Sequence, residues 1–427
     1  MSKKYLKYND ALLTYNSNLL QYEEEEATTA TYHLGYPSGF QTRINSILID
    51  PYNPDHVYIA GNFSHFGGWD SAYGTTNHFN IVHLGTNGQH DTKVSGSLIP
   101  SNQSIQRIRY ESSEDKIYVT GSFTVFGGAT CYRIGRLQSL NTSPIVVDVS
   151  FSTNIANNIN NVVYDSILDK DGKIYIGGIF TSGYGVTCNR ILRINNDGTY
   201  DSSMGTGFDS TVYTFEKDPS NRIYIGGTFT TYQGSTYNRI LRLNDDGTVD
   251  TTFNSGGGSF NNAVYKILYD PSIDKLYIGG DFTTYNGNSY NRILRLNMDG
   301  TVDTAFNCAG LPASIQDMCF DSQKNILVAG RFHTTLGGEL SRSIVKFLPD
   351  GTVDTNFYTN GGGCGGEGSA AGAAAGSGYA VACDYQDRVY VGGVIRNYKF
   401  EPYVYPGIIR LKADGSNDTM PDEVDWV

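Results

Sequence analysis

The sequence predicts an all-β chain built as a ring of seven four-stranded antiparallel units, and three observations predict it. The first is composition. Among 427 residues there are 50 Gly and 32 Tyr, only 17% are charged, and no long apolar run occurs. Such a chain makes many short strands and many turns rather than helices. The second is a recurring phrase, best written as KLYIGGDFTTYNGNSYNRILRLNMDGTVDTAF. Its second glycine falls at Gly61, Gly121, Gly178, Gly227, Gly280, Gly330 and Gly393. The third is a period of two in the apolar residues on either side of each glycine, the signature of half-buried strands.

Each unit reads in the same order. Strand A is an alternating segment ending in an acid, such as VYKILYD or VYTFEKD. A turn leads to strand B with its glycines, a loop leads to strand C (RILRLN), and a DGT turn leads to a short strand D ending near Phe253 or Phe306. A lone unit of about fifty residues cannot bury both faces, so neighbours must stack. A linear solenoid would need distinct capping units, and none is readable. A closed seven-bladed β-propeller of four-stranded antiparallel blades is therefore expected over residues 31–427. Residues 1–30 are expected to form an anchor peptide and acidic linker. Phe40 and Ile44 in YPSGFQTRI repeat the spacing of Phe208 and Val212. Residues 31–42 are accordingly expected to pair with the C-terminal segment and clasp the ring.

The phrase YIGGxFT…NRIxRLNxDGTxD resembles the delta-60 repeat, a β-propeller repeat of bacterial surface and secreted proteins and of phage proteins. The resemblance covers roughly residues 31–420 and is closest in blades three to five. Blade two lacks the DGT turn, and blade seven replaces Phe with Ile395. The resemblance implies the fold and no particular activity.

Features present in every blade are read as structural. The DGT turns at Asp197, Asp246 and Asp299 share residue types with calcium loops but serve as tight turns with glycine at positive φ. The arginines Arg190/Arg193, Arg239/Arg242 and Arg292/Arg295 are read as partners of the acids Asp218, Asp270, Asp321, Asp201, Asp250 and Asp303 in ion pairs between blades. Near the axis strand A delivers Arg107, Arg109, Asp165, Glu216, Lys266 and Asp317, which differ between blades. Two carboxylates there could serve a glycosidase. Polar channel lining explains them equally, and the Asp-box phrase of sialidase propellers is missing, so no catalytic residue is assigned. His65, His78, His83 and His90 match no usual ligand spacing, so no metal and no cofactor is assigned. The six cysteines are scattered singly and read as mostly buried thiols of a protein made in a reducing cytoplasm.

By topology the B-to-C and D-to-A loops share one face, rich in Tyr, Asn, Gly and Ser, the vocabulary of adaptable recognition surfaces. The regularly placed Phe66, Phe126, Tyr232, Tyr285 and Tyr398 are read as loop packing. The candidate ligand face is Trp69, Tyr237, Tyr290, Tyr398, Phe400, Tyr403 and Tyr405. The insertion NGGGCGGEGSAAGAAAGSG is either a disordered bulge or a recognition tip.

The opening holds two short related phrases, YNDALLT and YNSNLLQ, before EEEE. They read as tiny strands with Asn-Asp and Asn-Ser turns, too small to stand alone and suited to adding strands to a partner. Tyr8, Leu12, Leu13, Tyr15, Leu19, Leu20 and Tyr22 are the candidate anchoring residues. This segment resembles the Tyr-Asn-Leu-Leu openings of structural proteins in tailed phages of Bacteroidetes-type hosts. The resemblance implies a non-enzymatic virion component, a tail or head appendage held by residues 1–22 to other virion proteins and presenting the propeller to a host surface glycan or another virion protein. The rival readings are a bacterial surface or secreted adhesin-like propeller and a glycan-degrading enzyme. Formal charge of −12 without a basic block argues against nucleic acid. No stretch suits membrane insertion, and no secretory signal is readable, which places assembly in the host cytoplasm.

Overall fold

The computed structural model describes residues 5–8, 11–14, 43–63, 80–86, 103–138, 145–155, 158–201, 204–253, 258–336, 339–359, 377–395, 407–416 and 418. The chain divides into two units, Met1–Thr31 with Thr419–Val427, and Tyr32–Asp418. In the first unit, strand Tyr5–Tyr8 pairs antiparallel with Ala11–Thr14, Tyr8 opposite Ala11 and Tyr5 opposite Thr14. The hairpin thus joins the first phrase to the residues before it. Tyr15, Leu19, Leu20 and Tyr22 of the second phrase lie outside the described residues, as does the proposed clasp, residues 31–42.

The second unit is all-β and antiparallel. Among the described residues it holds seven sheets of three or four strands, one per repeat. The A strands are Arg43–Ile49, Ile105–Glu111, Val163–Leu168, Val212–Lys217, Val264–Asp270, Ile315–Phe320 and Ser377–Cys383. Each A strand packs beside the A strand of the next blade, and Arg43–Ile49 packs beside Ser377–Cys383, so the A strands form the innermost ring. Closure is apolar as well: Ile44, Ile59 and Val82 of blade one share a core with Ala380 and Tyr390 of blade seven. Arg388 adds an ion pair to Asp55 at 2.7 Å.

Strand D is shorter than expected. In blades three to six it meets strand C through a single bridge, as in Leu243 with Val249 and Leu296 with Val302. Blade two, which lacks the DGT phrase, has instead a true fourth strand, Val146–Val147. The B-to-C loop folds as a small hairpin, such as Thr231–Tyr232 with Ser235–Thr236. Phe208 and Phe260, on D-to-A connections, bridge to Tyr232 and Tyr285 in those hairpins, which brings the two kinds of loop together at one end of the blade. The loop-packing reading holds for Phe126, Tyr232 and Tyr285, all buried; Phe66 and Tyr398 lie outside the described residues.

The repeated glycine is explained by close approach. A Cβ at Gly280 would overlap the carbonyl oxygen of Ala263, and one at Gly178 that of Val162. The same clash with the residue entering strand A would occur at Gly61, Gly121, Gly227, Gly330 and Gly393. Opposite that glycine every A strand bulges by one residue. A bulge bends the strand and re-aims the extra side chain.

The repeated charges form a staple, with one correction to the sequence reading. Arg242, 2% exposed, pairs with Asp250 of its own blade at 2.6 Å, not with a neighbouring blade. Its Nη1 donates to the Tyr224 hydroxyl at 3.1 Å and to the Met298 carbonyl of the next blade. Arg193 with Asp201 and Arg295 with Asp303 repeat the pairing, and Arg295 donates to Pro349 O of the next blade at 2.7 Å. The blade-to-blade link is therefore a hydrogen bond to a carbonyl, because the DGT turn returns the acid to its own strand C. Arg190, Arg239 and Arg292, all at positive φ, donate to carbonyls at the end of their own strand B. Asp218 closes its own A-to-B turn, accepting from the Ser220 and Arg222 amides.

The DGT aspartates are equally committed. Asp246 accepts from the Thr248 amide at 2.8 Å and hydroxyl at 2.6 Å, and Gly247 has φ 85°, as the turn reading requires. Burial pushes the Cys131 thiol up to about 12 and Cys188 up to about 11.

Candidate functional site

The seven bulges place seven side chains at the D-to-A end of the innermost ring: Asn45, Gln106, Tyr164, Tyr213, Tyr265, Gln316 and Tyr379. Each is a flat group ending in a hydrogen-bonding amide or phenol, and each is half-buried. In blades one to six the apolar residue before the bulge is consumed in the core, and in blade seven Gly378 takes its place, so the bulge residue is the first on strand A free to vary. Tyr164 and Tyr213 lie 5.0 Å apart between centroids, and Tyr213 meets Tyr265 edge-on at 5.0 Å. On the other side of the ring the Arg43 guanidinium sits 3.7 Å over Tyr379. Asn45 donates to Ile105 O at 2.7 Å and to Ser104 Oγ at 3.0 Å, and Gln106 donates to the same hydroxyl at 3.1 Å. The arrangement is a tyrosine arc, an amide arc and an arginine between them.

Arg43 is the electrostatic centre of this mouth. Burial lowers its pKa from the ordinary arginine value, the phenols of Tyr379 and Tyr164 oppose the shift, and the neighbouring Arg331 guanidinium adds to it. The Arg43 Nε is buried without a hydrogen-bond partner. Among the described residues neither Arg43 nor exposed Arg331 forms an ion pair with a carboxylate.

One layer further in, the axial charges foreseen from sequence are paired. Asp165, fully buried, accepts from Arg109 at 2.9 Å and from the Phe215 amide of the next inner strand at 2.9 Å. Arg107 approaches the same carboxylate at 3.6 Å. Asp317 pairs with Lys266 at 2.7 Å and accepts from the Val381 amide at 3.2 Å. Ser46 does the same for the Ile108 amide at 3.1 Å. The inner edge of strand A has amides that no strand pairs, and these side chains satisfy them, which is their structural work. Glu216 differs: burial pushes its carboxyl up from the ordinary value, opposed by Arg109 and Lys266.

Of the residues read as a ligand face, Tyr237 and Tyr290 are half-buried and pack against the apolar cores of blades four and five. Trp69, Tyr398, Phe400, Tyr403 and Tyr405 lie outside the described residues, as does most of the glycine-rich insertion. Its last residues, Ser377 and Gly378, open the inner strand of blade seven. Tyr8 stands on the first strand of the opening hairpin, and Leu12 and Leu13 on the second. His83 is fully buried and bound to Asp50 at 3.0 Å, the blade-one counterpart of the arginine staple; His65, His78 and His90 lie outside the described residues. Sequence reasoning missed the bulge ring. Its signal is the second residue of the triplets INS, IQR, VYD, VYT, VYK, IQD and GYA, always Tyr, Gln or Asn and preceded by an apolar residue in all but the last.

Known proteins agree with this architecture. The model of a family described as a domain of unknown function, DUF5122, beta-propeller, matches residues 170–203, 219–253, 274–306 and 324–357, which are strands B to D of blades three to six. Among solved structures the chain is similar to the WD40 beta propeller domain of Doa1. The two are 12% identical over 86% of this chain and 94% of that one, with a TM-score of 0.50. It is also similar to the extracellular domain of the one component system BT4673 from B. thetaiotaomicron, 11% identical over 89% of this chain and 39% of that one, with a TM-score of 0.46. No curated protein matches the chain in sequence. The chain is a β-propeller. None of these similarities bears on the likeness of the opening residues to tailed-phage proteins.

Proposed function

We propose that the chain is a non-enzymatic binding propeller, carried on a phage particle by residues 1–22 and presenting the end where the D-to-A and B-to-C loops meet. The observation that supports the binding role is the division of polar groups. Charges that repeat are consumed in staples and turns, and the axial carboxylates Asp165 and Asp317 hold cations and backbone amides. Groups that do not repeat gather at the bulge ring. A glycosidase needs one carboxyl poised as acid and another as base or nucleophile at a defined separation; here Asp165 and Asp317 are committed to their partners.

The particle role is supported by the opening residues, where the first phrase pairs with the residues before it in the Tyr5–Tyr8 and Ala11–Thr14 hairpin. A two-stranded hairpin is marginal alone and gains from adding its edge to a partner sheet. The test mixes labelled full-length protein, and a version lacking residues 1–22, with phage particles assembling without it. Uptake of the full-length form alone supports the reading. Failure of both forms to co-purify with particles ends it.

A further inference from the structure

The mouth of the propeller combines three features that call for one kind of ligand. Tyr164, Tyr213 and Tyr265 form a continuous aromatic arc with 5.0 Å between successive rings, broad enough to lie against the C–H face of a sugar. Among the described residues the hydroxyls of Tyr164, Tyr265 and Tyr379 have no hydrogen-bond partner. They and the half-buried Gln316 amide are free to meet sugar hydroxyls. The third feature is charge. In a chain of net charge −12, Arg43 and Arg331 stand at one mouth and, among the described residues, form no ion pair with a carboxylate, whereas Arg242 and Arg295 are spent on acids and carbonyls. Two like charges at one mouth, one half-buried and one exposed, are stabilised by an anion between them, and guanidinium matches a carboxylate with two parallel hydrogen bonds.

We propose that this mouth binds an acidic saccharide, a chain carrying a sugar carboxylate, with the carboxylate at Arg43 and Arg331 and the neighbouring rings on the tyrosine arc. This rests on the binding role proposed above and names its ligand class. A nucleic acid would also offer anions and flat faces. Its repeated phosphates would meet the overall negative field with Arg43 and Arg331 alone, among the described residues of this mouth, to offset it.

The test is binding of the full-length protein to immobilised uronic-acid oligosaccharides, each beside its methyl ester, at low and high salt. A single-stranded oligonucleotide serves as a second polyanion. The expected result is binding to at least one acid form, about tenfold weaker to its ester. Arg331→Gln and Tyr213→Ala should each weaken it by about tenfold without moving the melting temperature. Equal binding of acid and ester, or binding that survives both substitutions, overturns the ligand class and site while leaving a glycan-binding role standing. Preference for the oligonucleotide overturns it too. Absence of binding to every member overturns it as well, and the binding role then rests on particle uptake alone.

Discussion

The Arg43 guanidinium lies 3.7 Å over the ring of Tyr379, so the first inner strand is held to the last at the point where the ring closes. The stack joins residues 336 positions apart (379 − 43) and supplements the apolar seam of Ile44 with Ala380 and Tyr390. Replacing Arg43 with Ala should cost about 0.5–2 kcal/mol, the range for a cation over an aromatic ring from exposed to desolvated settings. Urea denaturation followed by fluorescence measures it. An unchanged midpoint would mean that the seam alone holds the ends.

The repeated glycine and the bulge are two halves of one device. Gly280→Ala forces a methyl group into the Ala263 carbonyl and should cost about 1–3 kcal/mol or more. Gly287→Ala, at φ 77° but with open space around it, should cost only about 1 kcal/mol of backbone strain. The order of the two melting temperatures checks the argument. The reverse order would remove close approach as the reason for the glycine.

Blade six departs from the staple in a coordinated way. Leu327 stands where other blades have the strand-B tyrosine, and Lys346 where blades two to five and seven have arginine and blade one has His83, with Lys346 reaching Asp321 at 2.9 Å. Lysine lacks the fork that reaches an acid, a phenol and a carbonyl together. Installing Leu327→Tyr and Lys346→Arg together should be more favourable than the sum of the two singles by about 0.5–3 kcal/mol. In blade four, Asp250→Ala should cost about 3–5 kcal/mol, since it leaves Arg242 charged and buried. A thermal melt of all four variants tests both statements.

Glu216 supplies the pH dependence. Burial raises its carboxyl pKa in the folded chain above the ordinary value of the unfolded one. The folded state therefore binds this proton more tightly, and its relative stability rises as pH falls through the folded pKa. Above that pKa the ionised carboxylate is a liability. Glu216→Gln should melt higher than the parent at pH 7, with the difference shrinking as pH falls toward about 4.3. A variant less stable at pH 7 would show instead that Arg109 and Lys266 need this charge.

The fold was legible because the repeat declares itself: seven glycines, a period of two, and DGT turns each have one physical reading. Strand order and the faces shared by loops followed from them. The pairing of arginines was misplaced by one blade, because a period of two does not say whether the acid after DGT returns to its own strand C. The bulge ring escaped notice for a related reason. Its residues differ in type, and only the register across the glycine reveals that Tyr213 and Gln316 occupy one position.

Some tyrosines of this propeller build the blades and others bind, and Tyr224 and Tyr213 are the pair that separates the two roles. Tyr224 is fully buried in the staple, and Tyr213 is half-buried on the bulge. Melting temperature and affinity for an acidic oligosaccharide should be measured for the alanine variant of each. Tyr224→Ala should lose about 3–5 kcal/mol of stability and keep its affinity while folded. Tyr213→Ala should keep its melting temperature and lose the affinity. A Tyr213→Ala protein that melts early yet binds as the parent does would make Tyr213 a building residue and leave the bulge ring without a binding role.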